Sequence, residues 1–151
     1  MSASHDINRE LLVGFLDESV DALAAVDSLF VTLEAHPHDM ETVNAIFRPV
    51  HSLKGNAAYF GLMKLKKMAH TIESLIDLVR KGGRRADRPL IDLLLAGVDV
   101  LRAILENVRN GAGEVAESER QQFLSVLGRI ESAIKTQVSV VTEPLSEQQE
   151  P

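Results

Sequence analysis

The sequence contains no cysteine. That absence excludes a disulfide framework, a cysteine-ligated zinc site and thiol catalysis, and it suits a reducing compartment. No stretch approaches the roughly 20 consecutive apolar residues of a membrane span. The opening Met1-Ser2-Ala3-Ser4-His5-Asp6 has no basic region leading into an apolar one, so no secretory leader is expected there and the protein is read as cytoplasmic, without a membrane partner. Positive charge is in deficit as well, with 16 basic against 22 acidic residues and a net charge of -6. A nucleic-acid surface is not expected from that balance. The basic cluster Arg80-Lys81-Gly82-Gly83-Arg84-Arg85 falls at a predicted helix end and turn, where cations complement the helix dipole. Also missing are a glycine-rich phosphate loop, a Walker lysine and a nucleotide fingerprint, so the chain carries no recognisable means of holding ATP itself.

What the sequence has is helical periodicity. Its 151 residues suffice for one domain whose core folds without staples. Leu12, Leu16, Ser19, Leu23, Val26, Phe30 and Leu33 step by four and three, which predicts a first helix over residues 6–34 with one polar interruption at Ser19. His36-Pro37-His38-Asp39 breaks the pattern, and Val43, Ile46, Phe47, Val50, Leu53 and Ala57 restart it. Pro49 removes a donor inside that second helix and is expected to bend it. Gly61 closes the second helix, and Gly82-Gly83 stops a third that carries Leu65, Met68, Ala69, Ile72, Leu75, Ile76 and Val79. Asp87-Arg88-Pro89 opens a fourth, carrying Leu90 to Val108 and ending at Gly111 and Gly113. Ser118 with Gln121 has capping-box spacing ahead of a fifth stripe of Phe123, Val126, Leu127, Ile130 and Ile134. No strand is needed anywhere. The fold class expected is all-α: an antiparallel up-and-down four-helix bundle with an additional fifth C-terminal helix. Residues 1–138 are read as the domain. The polar, proline-containing composition from Thr142 onward reads 139–151 as a flexible linker toward downstream domains of a longer protein.

The second helix carries the most informative residue, His51. Lys54 and Gly55 follow it by three and four residues, so all three share a face, and the glycine leaves a gap beside the imidazole. A mid-helix glycine costs roughly 1 kcal/mol relative to alanine, so its place one turn from His51 suggests that something must approach the ring closely. The third helix supplies Lys66, Lys67, His70, Glu73 and Asp77. A tight turn at Gly61 makes the second and third helices antiparallel. His51 lies ten residues before that glycine, and His70 and Glu73 lie nine and twelve after it, so they stand level. Glu73 is therefore placed to accept the Nδ1 proton of His51, fixing the tautomer and leaving the Nε2 lone pair free. A neutral imidazole so oriented is a nucleophile suited to a phosphoryl group, whose oxygens Lys54 would pair, with Lys66 and Lys67 as further candidates. His5, His36 and His38 lie in a terminus and a turn and are read as uninvolved.

The run His51-Ser52-Leu53-Lys54-Gly55-Asn56-Ala57-Ala58-Tyr59-Phe60-Gly61, followed by Ala69-His70-Thr71-Ile72-Glu73, resembles the histidine phosphotransfer (HPt) domain family. Within that family it is similar to the N-terminal P1 domain of CheA-type chemotaxis kinases. The resemblance covers about a quarter of the chain, from Ile46 to Gly82. It implies that His51 is the phosphoacceptor, that Lys54 is the family lysine, and that His70 and Glu73 complete the CheA-type network. It further implies a two-component phosphocarrier that receives its phosphoryl group from a histidine kinase catalytic domain using Mg-ATP in trans. The recipients would be CheY-like or CheB-like response regulators. The domain would be a monomer without its own cofactor or kinase activity, inside a parent histidine protein kinase.

Three other readings remain open on the residues alone. One is a stand-alone HPt protein of a multistep relay. Another is a non-catalytic helical adaptor with His51 idle. A metal centre is disfavoured because bundle di-metal sites use repeated Glu-x-x-His spacing, whereas this chain has a single His70-x-x-Glu73 in the reverse order.

Overall fold

The computed structural model describes the backbone of residues 2–148 and the side-chain surroundings of residues 7–136. Its regular elements are α1 (Ser2–Ala35), α2 (Met40–Tyr59), α3 (Met63–Arg80), α4 (Arg88–Arg109), the short 3-10 turn Glu117–Glu119 and α5 (Arg120–Gln148). Each junction has a local cause. Asp39 opens α2 by accepting from the backbone N–H of Glu41 and Thr42 at 3.1 and 3.3 Å and from the Thr42 hydroxyl at 2.9 Å. Those bonds, the Thr42 hydroxyl foremost, hold its carboxyl below the ordinary value. Asp87 opens α4 in the same way, accepting from Leu90 at 3.0 Å. Gly61 closes α2 with φ +72, its N–H reaching Ala58 while Leu62 reaches Ala57. This paired closure needs a left-handed residue, which glycine supplies without a Cβ penalty. The same two bonds recur after α3, from Gly82 to Val79 and Gly83 to Leu78, and after α4, from Gly111 to Val108 and Ala112 to Asn107.

Helices α1 to α4 each pack against their two neighbours around a closed ring, α1 beside α2 and α4, and α3 beside α2 and α4. α5 lies in the groove of α3 and α4. This is the expected bundle with its extra helix. Leu23, Leu33, Ile46, Leu65, Met68, Ile72, Leu75, Leu90, Leu94, Leu101 and Ile104 are fully buried at its centre. The predicted stripes are thus the core. Antiparallel register between α1 and α4 is visible in three arginine links: Arg88 to Glu34, Arg102 to Asp27 and to the Leu23 carbonyl, and Arg109 to Asp17. Surface pairs of this kind contribute about 0–1 kcal/mol each, so they fix register more than they stabilise. Ser19, the interruption in the first stripe, is buried beside Pro49, Ser52 and Asn56 in a cleft of about 200 Å³ between α1 and α2.

One expectation needs correction. Ser118 is not a helix cap: it lies inside the 3-10 turn, and the carboxylate of Glu119 instead accepts from the Ala116 backbone N–H at 3.1 Å and from Asn107 Nδ2 at 2.7 Å. The partner on α4 decided the start of α5, and a spacing rule does not see it. Helix α5 continues to Gln148. α2, for its part, runs through Pro49 as one helix.

Candidate functional site

The site lies where α2 and α3 face each other. His51 projects from α2 with its side chain 59% exposed, while Glu73 on α3 is nearly enclosed at 11%. His51 Nδ1 is hydrogen-bonded to Glu73 Oε2, and Lys54 Nζ donates to Glu73 Oε1 at 2.7 Å. Burial pushes the Glu73 carboxyl up, but the hydrogen bonds from Lys54 and His51 and their positive charge outweigh it and hold the group below its ordinary value. An ionised carboxylate only accepts. The proton in the shared bond therefore sits on Nδ1, and the lone pair is left on Nε2 of the exposed ring. A carboxylate locked by two donors and an imidazole with its free edge toward solvent make an oriented nucleophile.

The side chains singled out in the sequence divide unevenly. His51, Lys54 and Glu73 are brought together as the turn register requires. Lys54, read as a partner for the phosphoryl oxygens once transferred, donates to Glu73 in the unphosphorylated domain. His70 stands 3.7 Å from Glu73 Oε1, with its side chain 60% exposed; it neighbours the carboxylate loosely. Gly55 is exposed, and a Cβ added there would meet nothing within 4 Å, so the space beside His51 is open. Lys67 pairs at 3.7 Å with Glu131 on α5, a different face from the one carrying His51. His36 and His38 are exposed in the α1–α2 turn, and the side chain of His5 lies outside the described residues.

Sequence reasoning missed a second set of contacts. Phe47, read there as a core residue, is only half-buried, and its ring stacks on the His51 imidazole at 5.6 Å between centroids and 13° between planes. The guanidinium of Arg80 lies 4.0 Å from the Phe47 ring centroid and bonds Asp77 at 3.3 Å. The i, i+4 spacing of Phe47 and His51 was a readable signal for the stack. Nothing local in the sequence pairs Phe47 with Arg80. Among the described residues no group of three or more metal-ligating side chains converges, and no helix is long and apolar enough to cross a membrane.

A ring of four helices presenting an exposed histidine, braced from the next helix by a buried carboxylate, defines a phosphotransfer module. The chain belongs to the Hpt domain family, whose model matches residues 10–111. It is similar to the chemotaxis protein CheA of Treponema pallidum (strain Nichols), at 36% identity over 110 residues, 73% of this chain and 13% of that protein. It is similar also to CheA of Rhizobium meliloti (strain 1021), at 33% over 130 residues, 86% of this chain and 17% of that protein. Among solved structures it resembles the phosphorylated P1 domain of CheA3 in complex with CheY6 from R. sphaeroides, with TM-score 0.72 and 30% identity over 84% of this chain and 97% of that one. It resembles the CheA phosphotransferase domain from Thermotoga maritima as well, with TM-score 0.63 and 33% identity over 66% of this chain and 94% of that one. The chain spans less than a fifth of the length of the two curated relatives.

Proposed function

We propose that this domain is the phosphoacceptor and phosphocarrier of a chemotaxis-type two-component system, acting in the cytoplasm as a monomeric module. The observation that carries the reading is the bond between His51 Nδ1 and the ionised, enclosed Glu73, which leaves Nε2 as the one nucleophilic atom on an exposed ring. Nε2 donates its lone pair to the γ-phosphorus of Mg-ATP held by a separate histidine kinase catalytic domain. The N–P bond forms as the bond from that phosphorus to the β–γ bridging oxygen breaks, and ADP leaves. Glu73 stabilises the positive charge that the imidazole gains. In the second step an aspartate oxygen of a CheY-like or CheB-like receiver domain attacks the same phosphorus, the N–P bond breaks, and its electron pair returns to Nε2. Similarity to a P1 domain crystallised with CheY6 supports the receiver as recipient, and similarity to CheA proteins supports the kinase as donor. His70 beside Glu73 favours the CheA branch over a stand-alone relay protein.

The test uses the whole chain with two donors: phosphoramidate, which needs no protein partner, and a CheA catalytic domain with Mg-ATP. Acid-labile, base-stable label is expected on His51 with either, and chase onto a CheY receiver should follow. His51→Gln should abolish labelling while preserving the helical circular dichroism. Label that persists in that variant would move the acceptor elsewhere, with His70 next, and an unlabelled wild-type chain would leave the adaptor reading.

A further inference from the structure

The hydrogen bond to Glu73 fixes one edge of the His51 ring but not its plane, because a ring held at a single nitrogen can still rock about that bond. The ring is also more exposed than buried, so core packing does not hold it. Two side chains supply the missing constraint. Phe47, one turn earlier on α2, lies nearly parallel to the imidazole, and Arg80 covers the Phe47 ring from α3. Glu73 and Arg80 are seven residues apart and so share a face of α3, and Asp77 between them bonds the guanidinium. One face of α3 thus reaches the acceptor by two routes, to the ring edge through Glu73 and to the ring face through Phe47.

We propose that Phe47 and Arg80 are positioning residues for His51: Arg80 clamps the Phe47 ring, and that ring fixes the imidazole plane so that Nε2 points at the incoming phosphorus. The proposal rests on the reading of His51 as the phosphoacceptor. A near-parallel flat contact restricts rocking where an aliphatic side chain would not, and a guanidinium over an aromatic face is held electrostatically by the ring quadrupole. Arg80 carries no atom to the reacting centre itself. Its effect passes through Phe47.

The experiment reads ring order and reaction rate on the full chain. Side-chain NMR relaxation at His51 Cε1–H reports order without any phosphoryl donor. It should fall in Phe47→Leu and in Arg80→Gln, and recover in Phe47→Tyr and Arg80→Lys, which keep the flat ring and the cation. With phosphoramidate as donor, Phe47→Leu should lower the saturating rate of His51 labelling by about fivefold, with the half-saturating concentration unchanged, as a loss of orientation requires. Arg80→Gln should move the rate the same way by less, and the double variant should be no slower than Phe47→Leu, because the two act in series. Unchanged ring order and rate in Phe47→Leu would overturn the proposal, and multiplying effects in the double variant would overturn the clamp. Should Phe47→Leu fail to fold, the surface variant Arg80→Gln decides alone by the same two readouts. A wild-type chain that phosphoramidate does not label would defeat the phosphoacceptor reading, and the relaxation measurement would still decide whether Phe47 and Arg80 order the ring.

Discussion

On the side of α3 that faces α2, Glu73 gathers Lys54, His51 and, more loosely, His70, and the contacts are directional and charged. On the side that faces α4 and α5 the same helix presents Ile72, fully buried, against Gly97 and Ile130, and the contacts are apolar and set by volume. Each side includes a glycine inside a helix, where roughly 1 kcal/mol of propensity is given up relative to alanine. At Gly55 the space is empty, whereas at Gly97 an added Cβ would stand 2.8 Å from Ile72 Cδ1, 2.9 Å from Ile72 Cγ1 and 3.2 Å from Ile130 Cδ1. The two glycines therefore serve opposite ends. One keeps a surface open, and the other lets three helices close.

The polar side should be broken most severely at its carboxylate. Glu73→Ala is expected to slow phosphoryl transfer to His51 by about 10²- to 10³-fold, the range for a lost group that stabilises charge developing in the transition state, with the helical circular dichroism retained. A rate within about threefold of wild type, well outside that range, would show that the Glu73 carboxylate does not orient the acceptor. Acid should reproduce part of the defect. Because its partners hold Glu73 below its ordinary value, the ionised group stabilises the fold fully above the unfolded pKa, about 4.3 for a free glutamate. That contribution is lost as pH falls through the lower folded value. Melting curves of wild type and Glu73→Gln should converge as pH falls from about 5 through the folded value, since in that acid range only the wild type titrates at this position. A gap independent of pH would sink the ion-pair account.

The apolar side should respond in stability and leave chemistry alone. Gly97→Ala forces a methyl against Ile72 and Ile130, an overpacking that costs about 1–3 kcal/mol and is offset by about 1 kcal/mol of helix propensity. The melting midpoint should fall modestly, and the labelling rate of the folded protein should hold. A raised midpoint would mean that Ile72 yields freely, and the close approach of α4 would then be incidental.

The same contrast explains what could be read from the chain before its structure. The bundle was legible because apolar stripes and glycine stops repeat along the helices, and the level placement of His51 and Glu73 followed from similar distances to Gly61, ten and twelve residues. Lys54 was placed on the face of α2 that meets Glu73, and its bond to that carboxylate was not foreseen, since spacing says which residues are near and not which of them bond at rest. Gly97 went unnoticed because its meaning lies in Ile72 and Ile130, residues 25 and 33 positions away in the chain. Phe47 passed as core for a related reason, as an apolar residue in an apolar stripe does not announce that one face of its ring meets an imidazole. Glu119 displaced the predicted Ser118 cap through Asn107 on another helix. For Gly97 and the Ser118 cap the deciding partner lay on another helix, where periodicity carries no information, whereas the Phe47–His51 stack was readable at i, i+4 and only its Arg80 cover was not.

The smallest effects are expected at Gly55, and they sharpen the comparison because stability and function should move apart there. Its surroundings are empty, so Gly55→Ala should be neutral or stabilising by up to about 1 kcal/mol through propensity and reduced freedom of the unfolded chain. Labelling by phosphoramidate should be unchanged, because a single methyl leaves Nε2 open to a small donor. Gly55→Gln keeps the helix but sets a long side chain one turn from the imidazole, where a receiver domain's aspartyl pocket must approach. Transfer from phosphorylated His51 to a CheY receiver should slow by several-fold, on the order of the cost of a misplaced approach, while the melting midpoint stays at or above that of wild type. Equal transfer rates in the glutamine variant would remove the access role and leave Gly55 as a position where alanine would do as well.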